Sequence, residues 1–297
     1  MVISNLCRLF LILVSCQMVQ APTDRREGEC SKLIPLGMKY YRFFESYRGI
    51  LDTKICEKNK LNTLLDPQFT LDKETHTYSH KDYPDAEFQS VTTVVGDHFE
   101  IFDAPRIAEN LVTNNPRYSG MTVEELMGKW DESSRLGTRI HEEIELFIYE
   151  GRAPSDPKAK IGLNWLEQFK MKSDFEILSE VMVYSMELKI AGTIDILAHD
   201  LKTGNYELID WKSSKKIQTE SYRGKVGTSP VTRGIQDCNF NHYALQLSLY
   251  RYLLEEYYSF TVSNQMIAHL TEDKCHSIVT PYMKDHIHAM VNQKART

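Results

Sequence analysis

The sequence lacks most of the features that mark specialised protein classes. Its six cysteines include no Cys-x-x-Cys pair, which argues against a zinc site built from closely spaced thiolates. There is no internal repeat and no low-complexity tract. The formal net charge of -6 excludes a protein that holds nucleic acid by overall charge alone, although an acidic protein can still carry a local basic groove. The ordinary composition, 42% hydrophobic and 26% charged, predicts one large globular domain with or without an appendage.

No apolar run near the N-terminus is long enough to span a bilayer. The short run Leu9–Val14 follows Arg8 and precedes the small residue Ala21, a pattern typical of a secretory leader over residues 1–21. A bacterial lipobox ending at Cys16 is an alternative. The chain has no Asn-x-Ser/Thr sequon, which speaks against secretion, so the cellular location stays open between secreted and intracellular sites.

Three segments are expected: the leader, an N-terminal extension over residues 22–66 without an assigned role, and a main domain over residues 67–297. After leader cleavage an even number of cysteines would remain, which permits disulfides, but buried thiols are the favoured interpretation. Those cysteines are Cys30, Cys56, Cys238 and Cys275.

Hydrophobic periodicity and turn residues predict an α+β fold with a mixed central sheet flanked by helices. The predicted strands are Phe69–Asp72, Thr77–His80, Phe88–Val95, Phe175–Tyr184, Glu187–Ala198 and Tyr206–Lys212. The predicted helices are Phe102–Leu111, one from the capping box Thr122–Glu125 to Gly151, Pro157–Lys172 and Asn241–Tyr258. The apolar stripe of the long helix is expected at Leu126, Trp130, Ser133, Gly137, Ile140, Ile144 and Phe147.

Two acids and a lysine converge in the predicted hairpin of the last two strands. Asp210 and Lys212 are two residues apart, so both side chains lie on one face of their strand. The short turn before that strand brings Asp195 beside Asp210. Carboxylates bind Mg²⁺ readily, and an adjacent ammonium can orient water or stabilise charge in phosphoryl transfer. The alternative is an exposed hairpin with ordinary polar residues.

Further polar residues could extend this site. His141 lies on the long helix, where the alternative is an ordinary polar residue or a half-buried, hydrogen-bonded one. Glu180 alternates in register with Leu178 and Met182, and its alternative is surface exposure. The loop 213–239 carries cations and an aromatic residue suited to phosphates and bases, with a solvated loop as the alternative: Lys215, Lys216, Tyr222, Arg223, Lys225 and Arg233. Gln246, set among apolar residues of its helix, needs a polar partner such as a phosphate or water.

Together these segments resemble the PD-(D/E)XK nuclease superfamily, and within it the RecB-like exonucleases. The matching segments, in order, are Gly137–Glu145, Ser179-Glu180, Gly192–Asp195, Ile209–Lys212 and Tyr243–Tyr250. The resemblance covers residues 68–270 and implies a restriction-endonuclease-like core. It implies a monomeric, metal-dependent DNA nuclease, acting as an exonuclease on single-stranded ends.

The resemblance also implies roles for individual residues. Asp195, Asp210 and His141 would bind Mg²⁺ or Mn²⁺, and Lys212 would assist the attacking water. The residues expected to contact substrate or support the site are Glu180, Gln246, Tyr250, Ser213 and Lys215. Because the closely spaced C-terminal cysteines of some relatives are lacking, no iron–sulfur cluster is expected.

Two other functions fit the same residues. A nucleic-acid-binding module could keep the nuclease fold without turnover, although the complete set of Asp195, Asp210 and Lys212 argues against this. The leader suggests a secreted nuclease, and stable membrane association is not expected once that leader is removed.

Overall fold

The computed structural model describes residues 62–294. The strands are β1 (Phe69–Asp72), β2 (Thr77–His80), β3 (Gln89–Ser90), β4 (Phe175–Ser185), β5 (Ile190–Asp200), β6 (Tyr206–Lys212), β7 (Val262–Leu270) and β8 (Cys275–Val279). The α-helices are α1 (Val91–Gly96), α2 (Ala104–Asn114), α3 (Val123–Glu150), α4 (Pro157–Lys170), α5 (Asn239–Tyr257) and α6 (Lys284–Lys294). The predicted leader and residues 22–61 of the predicted extension lie outside the described residues.

A six-stranded mixed sheet forms the centre of the domain. Strands β4, β5 and β6 form an antiparallel meander, β7 joins β6 in parallel, and β8 closes the order antiparallel to β7. Strand β1 pairs with β2 in a separate two-stranded sheet. The predicted α+β class, with a mixed central sheet flanked by helices, is confirmed.

The two edges of β5 are used differently. Strand β4 pairs with β5 from Ile190 to Asp200, apart from Asp195. On the opposite edge, β3 pairs with Ile190 and Ala191, whereas β6 pairs only with residues 196–199. On this edge, residues 192–195 of β5 have no partner among the described strands, because the pairing with β3 stops before them and the pairing with β6 starts after them. The predicted site residue Asp195 is the last of these four residues.

Successive side chains of β6 point to opposite faces, as predicted, so that apolar residues lie on one face and the predicted site residues on the other. Ile209 and Trp211 join an apolar cluster with residues of α3, α4, β5 and β7. Asp210 and Lys212 lie on the other face, where Gln246 and Tyr243 of α5 contact them. Because helices cover both faces, most of β6 is buried, although the strand carries the charged residues Glu207, Asp210 and Lys212.

The signals at the two ends of α3 are local and are confirmed. The side chain of Thr122 accepts from the backbone of Glu125, and the Glu125 side chain accepts from the backbone of Thr122. Gly151 ends the helix in the left-handed conformation, with φ 69°, which glycine adopts without steric strain.

Two predictions about secondary structure and burial were wrong. The predicted strand Phe88–Val95 is a strand only at Gln89–Ser90, because the Ser90 hydroxyl accepts from the backbone of Thr93 and caps α1. The three valines of that helix are buried at helical spacing and favour it over a strand. On α3, Ser133 and Phe147 of the expected buried stripe are exposed.

The first described residues pack on the main domain. The backbone amide of Asn62 donates to Tyr257 O at 2.8 Å, and the Tyr184 hydroxyl donates to Asp66 Oδ2 at 2.6 Å. Residues 62–66, which the sequence analysis assigns to the extension, therefore contact α5 and β4.

Between residues 62 and 294, no helix combines the length and apolar character needed to cross a membrane. Of the four cysteines that would remain after leader cleavage, Cys238 and Cys275 are free thiols, and Cys30 and Cys56 lie outside the described residues.

Candidate metal centre

The site begins where β5 and β6 separate. Ile196 and Ile209 form the last ladder pair, and the next opposed residues are Asp195 and Asp210. There the backbone N–H of Trp211 donates to Asp195 Oδ2 at 2.7 Å. The Asp195 carboxylate thus takes the place of a main-chain acceptor, which fixes its position between the two strands.

Glu180 lies opposite Asp195 on the other neighbour of β5. The ladder continues on both sides of it, at Ser179 with Ile196 and at Val181 with Ile194. Glu180 itself has φ 50°, in the left-handed region, which costs a non-glycine residue roughly 1–2 kcal/mol. Such strain is typical of functional positions, where the surrounding structure enforces it.

His141 reaches the same carboxylates from α3. Its Nδ1 atom lies 3.5 Å from Asp195 Oδ2 and 4.0 Å from Glu180 Oε1. His141, Glu180 and Asp195 each offer one ligand atom, and these atoms all lie within 4.8 Å of one another. In the described part of the chain this is the only such group of three. We refer to it as the His–Glu–Asp cluster.

The charges of this cluster are strongly coupled. Burial works to lower the pKa of His141, but the carboxylates of Asp195 and Glu180 outweigh it and raise that pKa to about 9. Burial, reinforced by Asp195, raises the pKa of Glu180 to about 8. Although burial opposes ionisation of Asp195, His141 and Lys212 hold its pKa below the ordinary value. Without a metal ion, the crowded carboxylates therefore favour retention of a proton at Glu180 near neutral pH.

Asp210 and Lys212 form an ion pair beside the cluster. Lys212 Nζ lies 2.5 Å from Asp210 Oδ2 and 4.7 Å from the centre of the Tyr243 ring. The Gln246 side-chain amide donates to Asp210 Oδ1 at 3.1 Å. The polar partner that Gln246 requires is thus a carboxylate of the site.

The ion pair sets the charge state of both partners. Burial raises the pKa of Asp210 to about 6, against the opposing influence of Lys212. Burial also works to lower the pKa of Lys212, but Asp210 and Asp195 outweigh it and raise that pKa above its ordinary value. Lys212 is therefore a permanent cation at neutral pH, which suits stabilisation of negative charge.

The remaining predicted residues differ in how near they lie to the site. Tyr250 is hydrogen-bonded with Gln246, and burial, with Asp195 and Asp210 nearby, raises its pKa above the ordinary value. Tyr250 is buried against β5 so closely that a Cβ on Gly192 would lie 2.6 Å from its ring, which requires glycine there. Ser213 lies beside Gly137 of α3, and its carbonyl accepts from Lys158 Nζ at 3.3 Å. Lys215 is exposed. Among the described contacts, none joins Ser213 or Lys215 to the cluster.

Three contributing residues are missed by sequence reasoning. Tyr243 packs on Lys212, and the Tyr149 hydroxyl is bonded to both backbone polar groups of Ser179, next to Glu180. Helical spacing marks these tyrosines as partly buried, but gives no sign that a ring or hydroxyl serves the site. The hydroxyl of Ser179 donates to the Asp195 carbonyl at 3.1 Å, a contact that depends on strand register.

Comparison of the chain with protein-family models gives no match, and comparison with curated proteins gives none either. Among solved structures, one described as "Crystal structure of SSO0001" is 12% identical and covers 86% of this chain and 85% of that chain, with a TM-score of 0.32. This similarity is too low to support an inference about fold or chemistry. The function of the site is therefore inferred from its own residues.

Proposed function

We propose that this protein is a divalent-metal-dependent nuclease that hydrolyses phosphodiester bonds in DNA. The observation that carries the proposal is the His–Glu–Asp cluster, with the cation of Lys212 held beside it. Three strands and a helix supply these groups from distant parts of the sequence. Metal-dependent phosphodiester hydrolysis needs such a combination of ligands and positive charge.

The cluster fits a hard divalent cation. Carboxylate oxygens are the preferred ligands of Mg²⁺ and Mn²⁺, so Glu180 and Asp195 suit these ions, whereas an imidazole such as that of His141 is more typical of later transition metals. Burial and the neighbouring carboxylate of Asp195 raise the pKa of Glu180. A bound cation would favour the ionised form of both carboxylates. When bound, Mg²⁺ or Mn²⁺ would act as a Lewis acid and lower the pKa of a water ligand.

The chain's own residues then divide the remaining work. Lys212, protonated and positioned by Asp210 and Tyr243, stabilises the charge that develops on the phosphate. Gln246 orients Asp210 and so fixes the ammonium of Lys212. The role of Asp210 as a metal ligand stays a prediction, because the described geometry places it against Lys212 and Gln246.

Exposed cations in one loop favour a polyanionic substrate, although Lys225 among them is paired with Glu100. The loop that follows Lys212 exposes five of them: Lys215, Lys216, Arg223, Lys225 and Arg233. Tyr222 in the same loop is 69% exposed and offers a surface on which an unpaired base can stack. These features support a single-stranded nucleic acid as the substrate, whereas DNA ends and exonucleolytic cleavage are part of the proposal that rests on the resemblance alone.

The proposal is tested by incubating labelled single-stranded DNA, double-stranded DNA and RNA with the purified protein in Mg²⁺ or Mn²⁺. We expect metal-dependent degradation of single-stranded DNA that EDTA abolishes. Asp210→Asn and Lys212→Ala should each lower the rate about 10²-fold or more. The first removes the carboxylate that positions the ammonium of Lys212, and the second removes the ammonium itself.

Two matched variants serve as controls. Glu207→Gln makes an equivalent carboxylate change on the same strand, at a side chain bonded to Asn264. Lys202→Ala removes an exposed lysine from the β5–β6 turn. Both should keep wild-type rates. DNA binding without cleavage in either metal would instead identify a binding module, and full activity of Asp210→Asn and Lys212→Ala would refute the assignment.

A further inference from the structure

Strand β4 carries two tyrosine contacts along the edge that faces away from β5. The Tyr149 hydroxyl donates to Ser179 O at 2.7 Å and accepts from Ser179 N at 3.0 Å. Farther along, the Tyr258 hydroxyl accepts from Tyr184 N at 2.9 Å. Within the described residues, β5 is the only strand that pairs with β4, so side chains satisfy backbone groups that another strand would otherwise bind.

The Tyr149 contact lies directly beside the strained residue. Ser179 precedes Glu180, whose φ of 50° turns the strand locally while the register continues on both sides. Ser179 is also held from the other side, because its hydroxyl donates to the Asp195 carbonyl at 3.1 Å. The residue before Glu180 is therefore fixed both to α3 and to β5.

Helix α3 links this contact to the proposed metal ligands. Tyr149 follows His141 by eight residues, about 12 Å along the helix axis at 1.5 Å per residue. The same rigid helix thus supplies an imidazole to the cluster and a hydroxyl to the strand that carries Glu180. Burial raises the pKa of Tyr149 to about 12, so its hydroxyl keeps its proton at neutral pH.

We propose that Tyr149 is a positioning residue for a divalent metal ion: by binding both backbone polar groups of Ser179, its hydroxyl holds Glu180 in the left-handed conformation that brings its carboxylate to His141 and Asp195. The inference rests on the proposed metal centre. Both Tyr149 and Tyr258 protect the edge of the sheet. The inference gives Tyr149 a second role, which Tyr258 does not share.

The test compares Mn²⁺ binding to the wild type, Tyr149→Phe and Tyr258→Phe by isothermal titration calorimetry. Each substitution removes one hydroxyl that is hydrogen-bonded to the backbone of β4 at its outer edge. We expect Tyr149→Phe to weaken Mn²⁺ binding by tenfold or more, the usual effect of losing a group that orients a ligand. Tyr258→Phe should bind Mn²⁺ within about twofold of wild type, and both variants should unfold at somewhat lower temperature. Wild-type affinity in Tyr149→Phe, or equal losses in the two variants, would overturn the inference.

A measurement on the unaltered protein keeps the inference testable if Tyr149→Phe does not fold. Coupling between two events is reciprocal, so Mn²⁺ should strengthen the contact if the contact favours Mn²⁺. Hydrogen exchange at the Ser179 amide should slow at saturating Mn²⁺, while exchange at the Tyr184 amide stays unchanged. Unchanged exchange at Ser179 would refute the coupling.

The two proposals fail in different ways. If wild type does not bind Mn²⁺, the metal centre itself is refuted. If wild type binds Mn²⁺ and Asp195→Asn does not, while Tyr149→Phe behaves as wild type, only the positioning role is refuted.

Discussion

Strand β4 contributes a glutamate to each of two histidine–glutamate pairs, and the two pairs differ in what surrounds them. His199 Nδ1 lies 3.5 Å from Glu176 Oε2, and the two residues are direct partners in a regular ladder. Tyr206 stacks on His199 with ring centres 4.5 Å apart. In the second pair, His141 of α3 approaches Glu180 in the middle of β4, beside a second carboxylate, Asp195.

The difference shows what makes such a pair a candidate site. The side chains of His199 and Glu176 are 13% and 11% exposed, against 24% for both His141 and Glu180, so the first pair is the more buried. Neither residue, however, has a positive φ, and the pair belongs to no group of three candidate ligands among the described residues. A third candidate ligand and a strained backbone distinguish the proposed metal centre, whereas burial alone does not.

The largest expected effect separates the two glutamates. Glu180→Gln should weaken Mn²⁺ binding about 100-fold, because it removes a proposed ligand, and losses of even an outer-shell partner reach that size. Glu176→Gln should leave the affinity within about twofold of wild type. Calorimetric titration checks both, and equal affinities in the two variants would remove the distinction between the pairs.

Substitution of the two histidines should give the same contrast in Mn²⁺ affinity, but the loss should be smaller than for the glutamates. His141→Gln should lower Mn²⁺ affinity at least about tenfold, since two carboxylates would remain to hold the ion. His199→Gln should bind Mn²⁺ as wild type does. Electron paramagnetic resonance of free Mn²⁺ measures both, and a wild-type signal from His141→Gln would exclude this side chain from the metal shell.

The smallest effect concerns stability without metal. Burial and Asp195 raise the pKa of Glu180 to about 8, so ionised Glu180 destabilises the folded state above that pH. Glu180→Gln should therefore raise the unfolding temperature in EDTA at pH 9 by about 2–4 °C, equivalent to about 1 kcal/mol.

The sign of this effect depends on pH. The gain should vanish at and below pH 4.5, where the carboxyl is protonated in both states, and grow between pH 4.5 and 8. Glu176→Gln, which loses its pairing with His199, should show no gain. A lower unfolding temperature for Glu180→Gln at pH 9 would show that the ionised carboxylate stabilises the metal-free fold.

Local signals account for the parts of the fold that the sequence predicts well. The capping box and the left-handed Gly151 delimit α3, and the alternation of β6 places Asp210 and Lys212 on one face. The prediction at Phe88–Val95 was wrong because β-branched residues favour strands on average, yet a serine cap and tertiary burial of three valines decide otherwise. Local preference is weak where tertiary contacts compete.

The candidate site is only partly visible in the sequence. Strand order along the chain indicates that Asp195 and Asp210 approach each other. The left-handed conformation of Glu180 has no sequence signal, because glutamate rarely adopts it. The separation of α3 from β4, which determines whether His141 reaches Glu180, arises from packing of distant segments. The role of Tyr149 follows from that same packing.

The bond from the Trp211 amide to Asp195 determines how an inactive form of the proposed nuclease can be made. An alanine at residue 195 would leave a main-chain donor without an acceptor, so lost catalysis could not be told apart from a frayed sheet. Asparagine retains an oxygen at that point while removing the negative charge. Asp195→Asn is therefore the variant suited to trapping an intact oligonucleotide on a correctly folded protein.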